Sequence, residues 1–265
     1  MLTYLLLRYA MLLKLPLASL LTTSLLLAGN ASQAQSQLEP PLATTYATPA
    51  PAAARQVYSA ADPISSLLYN GPEYVNYAMR YAARVGHQFF LTPDPQPGSA
   101  LYRAQPFDNL QLQYDVVLDQ VVIKQPTSPL TLRLVNEKLD RFTIAGHLFE
   151  KLQADTTAGG LAATGYYEVL AEGPVQLLAR RAKRQLERIE SRVVRAEYVT
   201  ADRLYAHRDG RYYPLNSKSA VQKLLADREP EVRAYVRQNK LKLNKKRFEN
   251  DALTLVNYYN QLLPR

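Results

Sequence analysis

The chain contains neither cysteine nor tryptophan. Without cysteine there can be no disulfide staple, no thiol nucleophile and no thiolate metal site, so stability must come from ordinary burial. Lipoprotein processing of a leader, which needs a cysteine, is excluded as well. Without tryptophan, a sugar-binding surface would have to rely on other rings. Histidine is scarce: His87, His147 and His207 lie in three separate segments with no HxH or HxxxH spacing. A metal site would need all three to converge, or carboxylates to join them. The GxSxG, SxxK, P-loop and GxGxxG patterns are missing too. Gly159-Gly160 with Gly165 is too sparse to cradle a phosphate. No cofactor is expected.

Leucine is abundant at the start. Residues 1–34 carry Arg8 and Lys14 as their only charges, on the N-terminal side of an apolar core spanning Leu15–Gly29. Ser32 and Ala34 then put small side chains at the −3 and −1 positions of a cleavage site after Ala34. That order is a secretory signal, and Lys14 and Pro16 interrupt the run that an uncleaved membrane anchor would need. Cleavage lowers the net charge from +9 to +7 and leaves 231 residues, enough for a sizeable core. The predicted location is periplasmic or extracellular, with no stable membrane span after cleavage.

Residues 35–61 hold Pro40, Pro41, Pro49 and Pro51 among Ala, Thr, Ser and Gln. Such a stretch cannot offset its ordering entropy and reads as a disordered spacer. A single domain is expected over residues 62–265. Ile64, Leu67, Leu68, Tyr74, Val75, Ala78, Met79 and Ala82 recur at helical spacing, broken at Asn70-Gly71-Pro72, predicting one or two short helices. From His87 the period changes. Leu110, Leu112, Tyr114, Val116 and Leu118 alternate strictly, as in a half-buried strand. The apolar phase then switches to Val121 and Ile123, which marks a turn or bulge. Leu130, Leu132 and Leu134, then Phe142, Ile144, Leu148 and Leu152, then Tyr167, Val169, Val175 and Leu177 continue the pattern. Their short connections permit antiparallel neighbours only. From Arg180 to Ala196 arginine dominates, and the expectation is a strand to about Gln185 followed by a mobile or partly helical loop. Asp209-Gly210 between aromatic-rich runs is a strong hairpin signal.

The last quarter is helical. Ser219 with Gln222 suggests a capping box, Asp227 with Pro230 a second helix start, and Phe248, Ala252, Leu255, Val256, Tyr259 and Leu262 share one face of a third helix. The fold class is therefore α+β: an antiparallel meander of about eight strands, as a curved sheet or open barrel, with short N-terminal helices and a C-terminal helical layer.

The positive balance of an exported chain points away from nucleic acid, toward anionic lipid, polysaccharide or an acidic envelope protein. In a two-residue Asp209-Gly210 turn, Arg208 and Arg211 would face each other across the strands, where like charges repel. Either they splay into water, or the loop is longer, or an anion lies between them. The basic run Lys240–Arg247, with Lys242, Lys245, Lys246 and Arg247, is a solvated helix connection or a contact for anionic headgroups. Asp115 and Asp119 could pair as glycosidase carboxylates, although Asp119 sits where turns favour Asp anyway. The nineteen tyrosines fit half-buried strand and helix positions with hydroxyls at the surface.

The segments Leu110-Gln111-Leu112-Gln113-Tyr114-Asp115, Gly165-Tyr166-Tyr167-Glu168-Val169-Leu170 and Asn257-Tyr258-Tyr259-Asn260 resemble a group of exported, uncharacterised proteins of the Bacteroidetes, over roughly Gly86 to Leu263. The resemblance implies a Gram-negative envelope and a β domain closed by C-terminal helices. It brings no activity, cofactor or catalytic residue. The functional expectation is a non-enzymatic binding or structural role for a hydrophobic ligand or envelope partner. The alternative is a periplasmic hydrolase whose site is assembled from scattered residues.

Overall fold

Side-chain alternation decides the architecture. The computed structural model describes residues 67–125, 128–154, 160–190 and 192–263, all within one compact unit, Ala50–Arg265. The leader and spacer expected over residues 1–61 lie outside the described residues. The strands in chain order are β1 (Ala83–Val85), β2 (Gln96–Tyr102), β3 (Gln105–Asp115), β4 (Gln120–Lys124), β5 (Thr131–Arg133), β6 (Leu139–Ile144), β7 (His147–Leu152), β8 (Gly165–Ala171), β9 (Gln176–Arg180), β10 (Lys183–Glu190), β11 (Val193–Thr200), β12 (Arg203–Arg208) and β13 (Arg211–Leu215). Three helices follow: α1 (Lys218–Leu224), α2 (Glu229–Gln238) and α3 (Phe248–Leu262). The α+β class is as expected, and no helix among the described residues is long and apolar enough to cross a membrane.

Ten strands form one open antiparallel sheet in the order β13-β12-β9-β8-β7-β6-β2-β3-β4-β5. The expected eight fell short partly because β2 carries Pro97, Gly98 and Ser99. It has no alternation of its own and is held by pairing with β3 and β6. Ala145-Gly146 and Asp209-Gly210 turn two hairpins with positive φ at both central residues, the twist that tight hairpins require.

The sheet is strongly curled. Tyr114 on β3 and Tyr166 on β8 are four strands apart in the sheet order, roughly 19 Å if it were flat at ~4.8 Å per strand. Their ring centroids are 6.2 Å apart. What draws the strands together is an aromatic core. Phe142 and Phe149 stack at 4.8 Å, and Tyr114 meets them edge-on at 5.2 and 5.1 Å. At the rim Arg180, the last residue of β9, reaches Asp119 in the β3–β4 turn at 3.1 Å and lies over the Tyr167 ring. Strands β9, β12 and β13, with the end of β8, bury the same face under the helices, against Val221, Leu225, Ala252, Leu255 and Val256. Asn260 on α3 clasps the β8–β9 turn, accepting from Val175 N and donating to Val175 O.

Two expectations are corrected. The stretch Tyr74–Ala82 forms a single 3-10 turn, Tyr77–Arg80, followed by β1. Tertiary bonds override the helical spacing: Glu73 bridges to Leu132, and the Tyr74 hydroxyl donates to Asp115 at 2.8 Å. The arginine-rich stretch is neither loop nor helix. It is the β10–β11 hairpin, which with β1 makes a separate three-stranded sheet. β1 runs parallel to β11. The β-branched Val193, Val194, Val199 and Thr200 favour that strand. Helix starts shift too: Ser217, not Ser219, caps α1. Asp227 caps nothing and instead accepts from Arg208 and Tyr259.

Gly98 sits at the bulge where β2 threads between β3 and β6, and a Cβ there would lie 2.1 Å from the Thr143 carbonyl oxygen. Gly98→Ala must push the central strands apart and is expected to cost about 2–3 kcal/mol, the scale of overpacking. Urea denaturation of both proteins checks this.

Candidate functional site

Glu168 follows Tyr166 by two residues on β8, so both point to the buried face of the sheet. A carboxylate there needs partners, and Glu168 is 3% exposed. It accepts from Arg181 Nε at 2.5 Å and meets His147 Nδ1 at 2.5 Å. A carboxylate only accepts, so when Glu168 is ionised Nδ1 donates and Nε2 is the ring's remaining polar atom. Phe90 packs edge-on against that ring at 5.2 Å.

Arg181 extends the cluster. Its guanidinium grips Glu249 of α3 with two bonds of 2.8 and 2.7 Å and donates to Asp202 at 2.9 Å. Asp202 in turn accepts from Ala182 N. Burial disfavours the charged guanidinium, yet bonds to Glu249 and Glu168 outweigh it and raise its pKa above the ordinary arginine value. Arg181 thus ties β7, β8, the segment before β12 and α3 at the seam between the aromatic core and the helix-covered core.

A cleft opens on each side of this seam. The smaller, about 370 Å³, is lined by Phe90, His147, Arg181, Lys183, Thr200 and Asp202 among others. Lys183 Nζ is bound to the carbonyls of His87 and Phe89 at 2.9 and 2.6 Å, and burial lowers its pKa. The larger cleft, about 910 Å³, lies between β12–β13 and the start of α3. Leu204, Tyr205, Pro214, Leu215, Leu243 and Phe248 make its apolar wall. Arg203 and Lys245, both exposed, stand at its mouth with Asp202 and Glu249.

The basic run forms one lip of that cleft and is more than a solvated connection. The buried carboxylate Asp251 accepts from the backbone N–H groups of Lys242 and Leu243, both at 2.9 Å. Its other oxygen meets Arg247 at 3.3 Å. Lys242, Lys245, Lys246 and Arg247 are all exposed, but only Lys245 lines the cleft. Arg208 and Arg211 are direct cross-strand partners, yet Arg208 turns to the helices. It donates to Leu224 O at 2.6 Å and Asp227 at 3.0 Å and lies over the Tyr259 ring. Arg211 is exposed. The pair does not converge on a shared anion position, and neither residue lines the large cleft.

The two candidate carboxylates do not work together. Asp115 accepts from the Tyr74 and Tyr77 hydroxyls and from Val117 and Leu118 N, and burial raises its pKa. Asp119 is engaged by Tyr114 and Arg180. The histidines stay apart: His207 stacks on Tyr212, and burial with nearby Lys183 lowers the His87 pKa. Among the described residues no group of His, Asp and Glu is arranged to hold a metal ion. Several tyrosines exceed the expected half-burial. Tyr114, Tyr166 and Tyr259 are fully buried, their hydroxyls bonded to Asp119, Leu139 O and Asp227. The Glu168–Arg181–Glu249 cluster escaped sequence reading, because its members are far apart in the chain and match no motif. The alternation through Tyr167 and Val169 assigns Glu168 to the other face of the strand, whereas the fold buries it beside Tyr166.

The chain matches no protein-family model, no curated protein and no solved structure.

Arg181→Gln leaves three carboxylates facing one another without a cation. The expected loss is about 3–5 kcal/mol at neutral pH, the cost of removing one partner from a buried pair. Denaturation midpoints of both proteins at neutral pH test the size of the loss.

Proposed function

We propose that this chain is an exported envelope protein that binds an amphiphile, with the apolar tail along Leu204, Leu215 and Leu243 and an anionic head at Arg203 and Lys245. The large cleft carries this reading. Its volume of about 910 Å³ is that of small-molecule sites, which combine apolar walls with a few placed polar groups. Two cations at its mouth match an anionic head. Asp202 and Glu249 also stand there, but both are engaged by Arg181, whose single charge they share with Glu168, so the head contact falls to Arg203 and Lys245. Export is supported by the leader pattern in residues 1–34, and the basic balance suits an anionic ligand.

A hydrolase is the second reading, favoured by the His147–Glu168 pair beside the smaller cleft. A histidine oriented by a buried carboxylate is the arrangement a general base uses. If this reading applies, the wild type hydrolyses p-nitrophenyl butyrate, and His147→Ala loses that turnover while keeping amphiphile binding. No turnover by the wild type removes the reading.

Titration with a dansyl-labelled fatty acid tests the main proposal. Arg203→Glu with Lys245→Glu should weaken binding roughly five- to tenfold, the sum of two partly exposed ion pairs. Ala162→Trp, placed on the cleft wall, should block the probe by filling the space. Equal affinity in wild type and both variants overturns the proposal.

A further inference from the structure

The β10–β11 hairpin ends in an unusual tip. Ile189 is 80% exposed, and Val193 and Val194 are 43% and 42% exposed. Ile189 and Val194 are cross-strand partners and share one face, while Val193, adjacent in sequence, points to the other. The base of the hairpin is fixed: Gln185 donates to the Tyr81 hydroxyl and accepts from Tyr198, and Ala196 and Tyr198 pack on Ala78 and Tyr81. Beyond that base Arg188, Ile189, Arg192, Val193 and Val194 are all exposed. Ile189 stands six residues past Lys183, roughly 20 Å along the strand at ~3.4 Å per residue.

From this we infer that the β10–β11 hairpin is a membrane-docking finger, in which Ile189, Val193 and Val194 enter the interfacial layer of an anionic bilayer and Arg184, Arg188 and Arg192 meet its headgroups. The distribution of apolar groups selects this occupant. A protein partner covers one face of a hairpin, whereas a bilayer surrounds its tip, and here both faces of the tip carry an apolar side chain, Ile189 with Val194 on one and Val193, opposite Glu190, on the other. Three side chains are also too few for a stable protein interface of ~1,200 Å² or more. Interfacial insertion needs only a small apolar area combined with attraction to anionic lipid. The charges comply: Lys183, Arg184, Arg188, Arg192 and Arg195 outnumber Glu187, Glu190 and Glu197 along the hairpin, and Glu187 and Glu197 are paired with Arg80 and Arg188. The finger is separate from the amphiphile cleft and does not depend on it.

The absence of cysteine lets one introduced thiol carry a probe. An environment-sensitive dye on Val193→Cys is compared with the same dye on Lys246→Cys, using phosphatidylglycerol vesicles with and without nitroxide-labelled lipid. The Val193 probe should shift to the blue and be quenched by the nitroxide lipid. Adding Ile189→Asp and Val194→Asp to the labelled protein should cancel both effects. A Val193 probe that stays in water on these vesicles overturns the finger, whether or not the Lys246 probe moves. A shift that survives the two aspartates overturns it as well.

Discussion

Arg181 is the contact on which both halves of the molecule depend. It stands just past the end of β9 and gathers Glu168 from β8, Asp202 from the segment before β12 and Glu249 from α3. Three carboxylates brought together without a cation would repel by several kcal/mol each, since two unit charges 4 Å apart interact by about 4 kcal/mol at an effective dielectric of 20. The guanidinium fork satisfies them in a fixed geometry that a lysine could not copy. Its neighbour Arg180 reaches Asp119 and so ties the same point to the far rim of the curl. One dipeptide therefore registers the sheet against itself and against the helices.

The curl explains why there is something to join. Aromatic rings from β3, β6, β7 and β8 pack on one another and draw five strands into a trough. That half of the sheet covers its own apolar face. The other half cannot, and the helices close it with an aliphatic core. The two cores differ in curvature and in side-chain size, so they do not merge. The seam between them is filled by charge, and clefts remain on either side. The larger cleft is bounded by the loop that Asp251 pins, which holds Leu243 against the apolar wall and keeps Lys245 at the mouth.

The architecture was legible where one face of an element is buried and the other wet. The alternation through Leu112 and Tyr114, the Asp209-Gly210 turn and the apolar face of α3 all led to the right elements. Reading failed where partners distant in sequence supply the structure. Strand β2 exists through its two neighbours, and Tyr74–Ala82 is bent away from a helix by Asp115 and Leu132. The arginines of β10 look helical by propensity, yet they are compatible with a strand whose outer part lies in water. The candidate site was least legible. His147 is a strand-end histidine by sequence. Only the folded chain brings it to Glu168, and only the sheet order brings Arg181 between Glu168 and Glu249. Of the basic residues singled out by charge, Lys245 reaches the cleft, because the Asp251 staple turns that part of the loop inward.

A cleft with an apolar wall, two exposed cations at its mouth and acids turned to Arg181 is physically suited to hold an amphiphile with a negative head. Mass spectrometry of small molecules extracted from the protein, purified from its own host without added detergent, puts that claim to the most direct test. The account predicts a co-purifying lipid-like acid in near-stoichiometric amount. Protein that carries no such molecule, or carries a fully polar one, would contradict it.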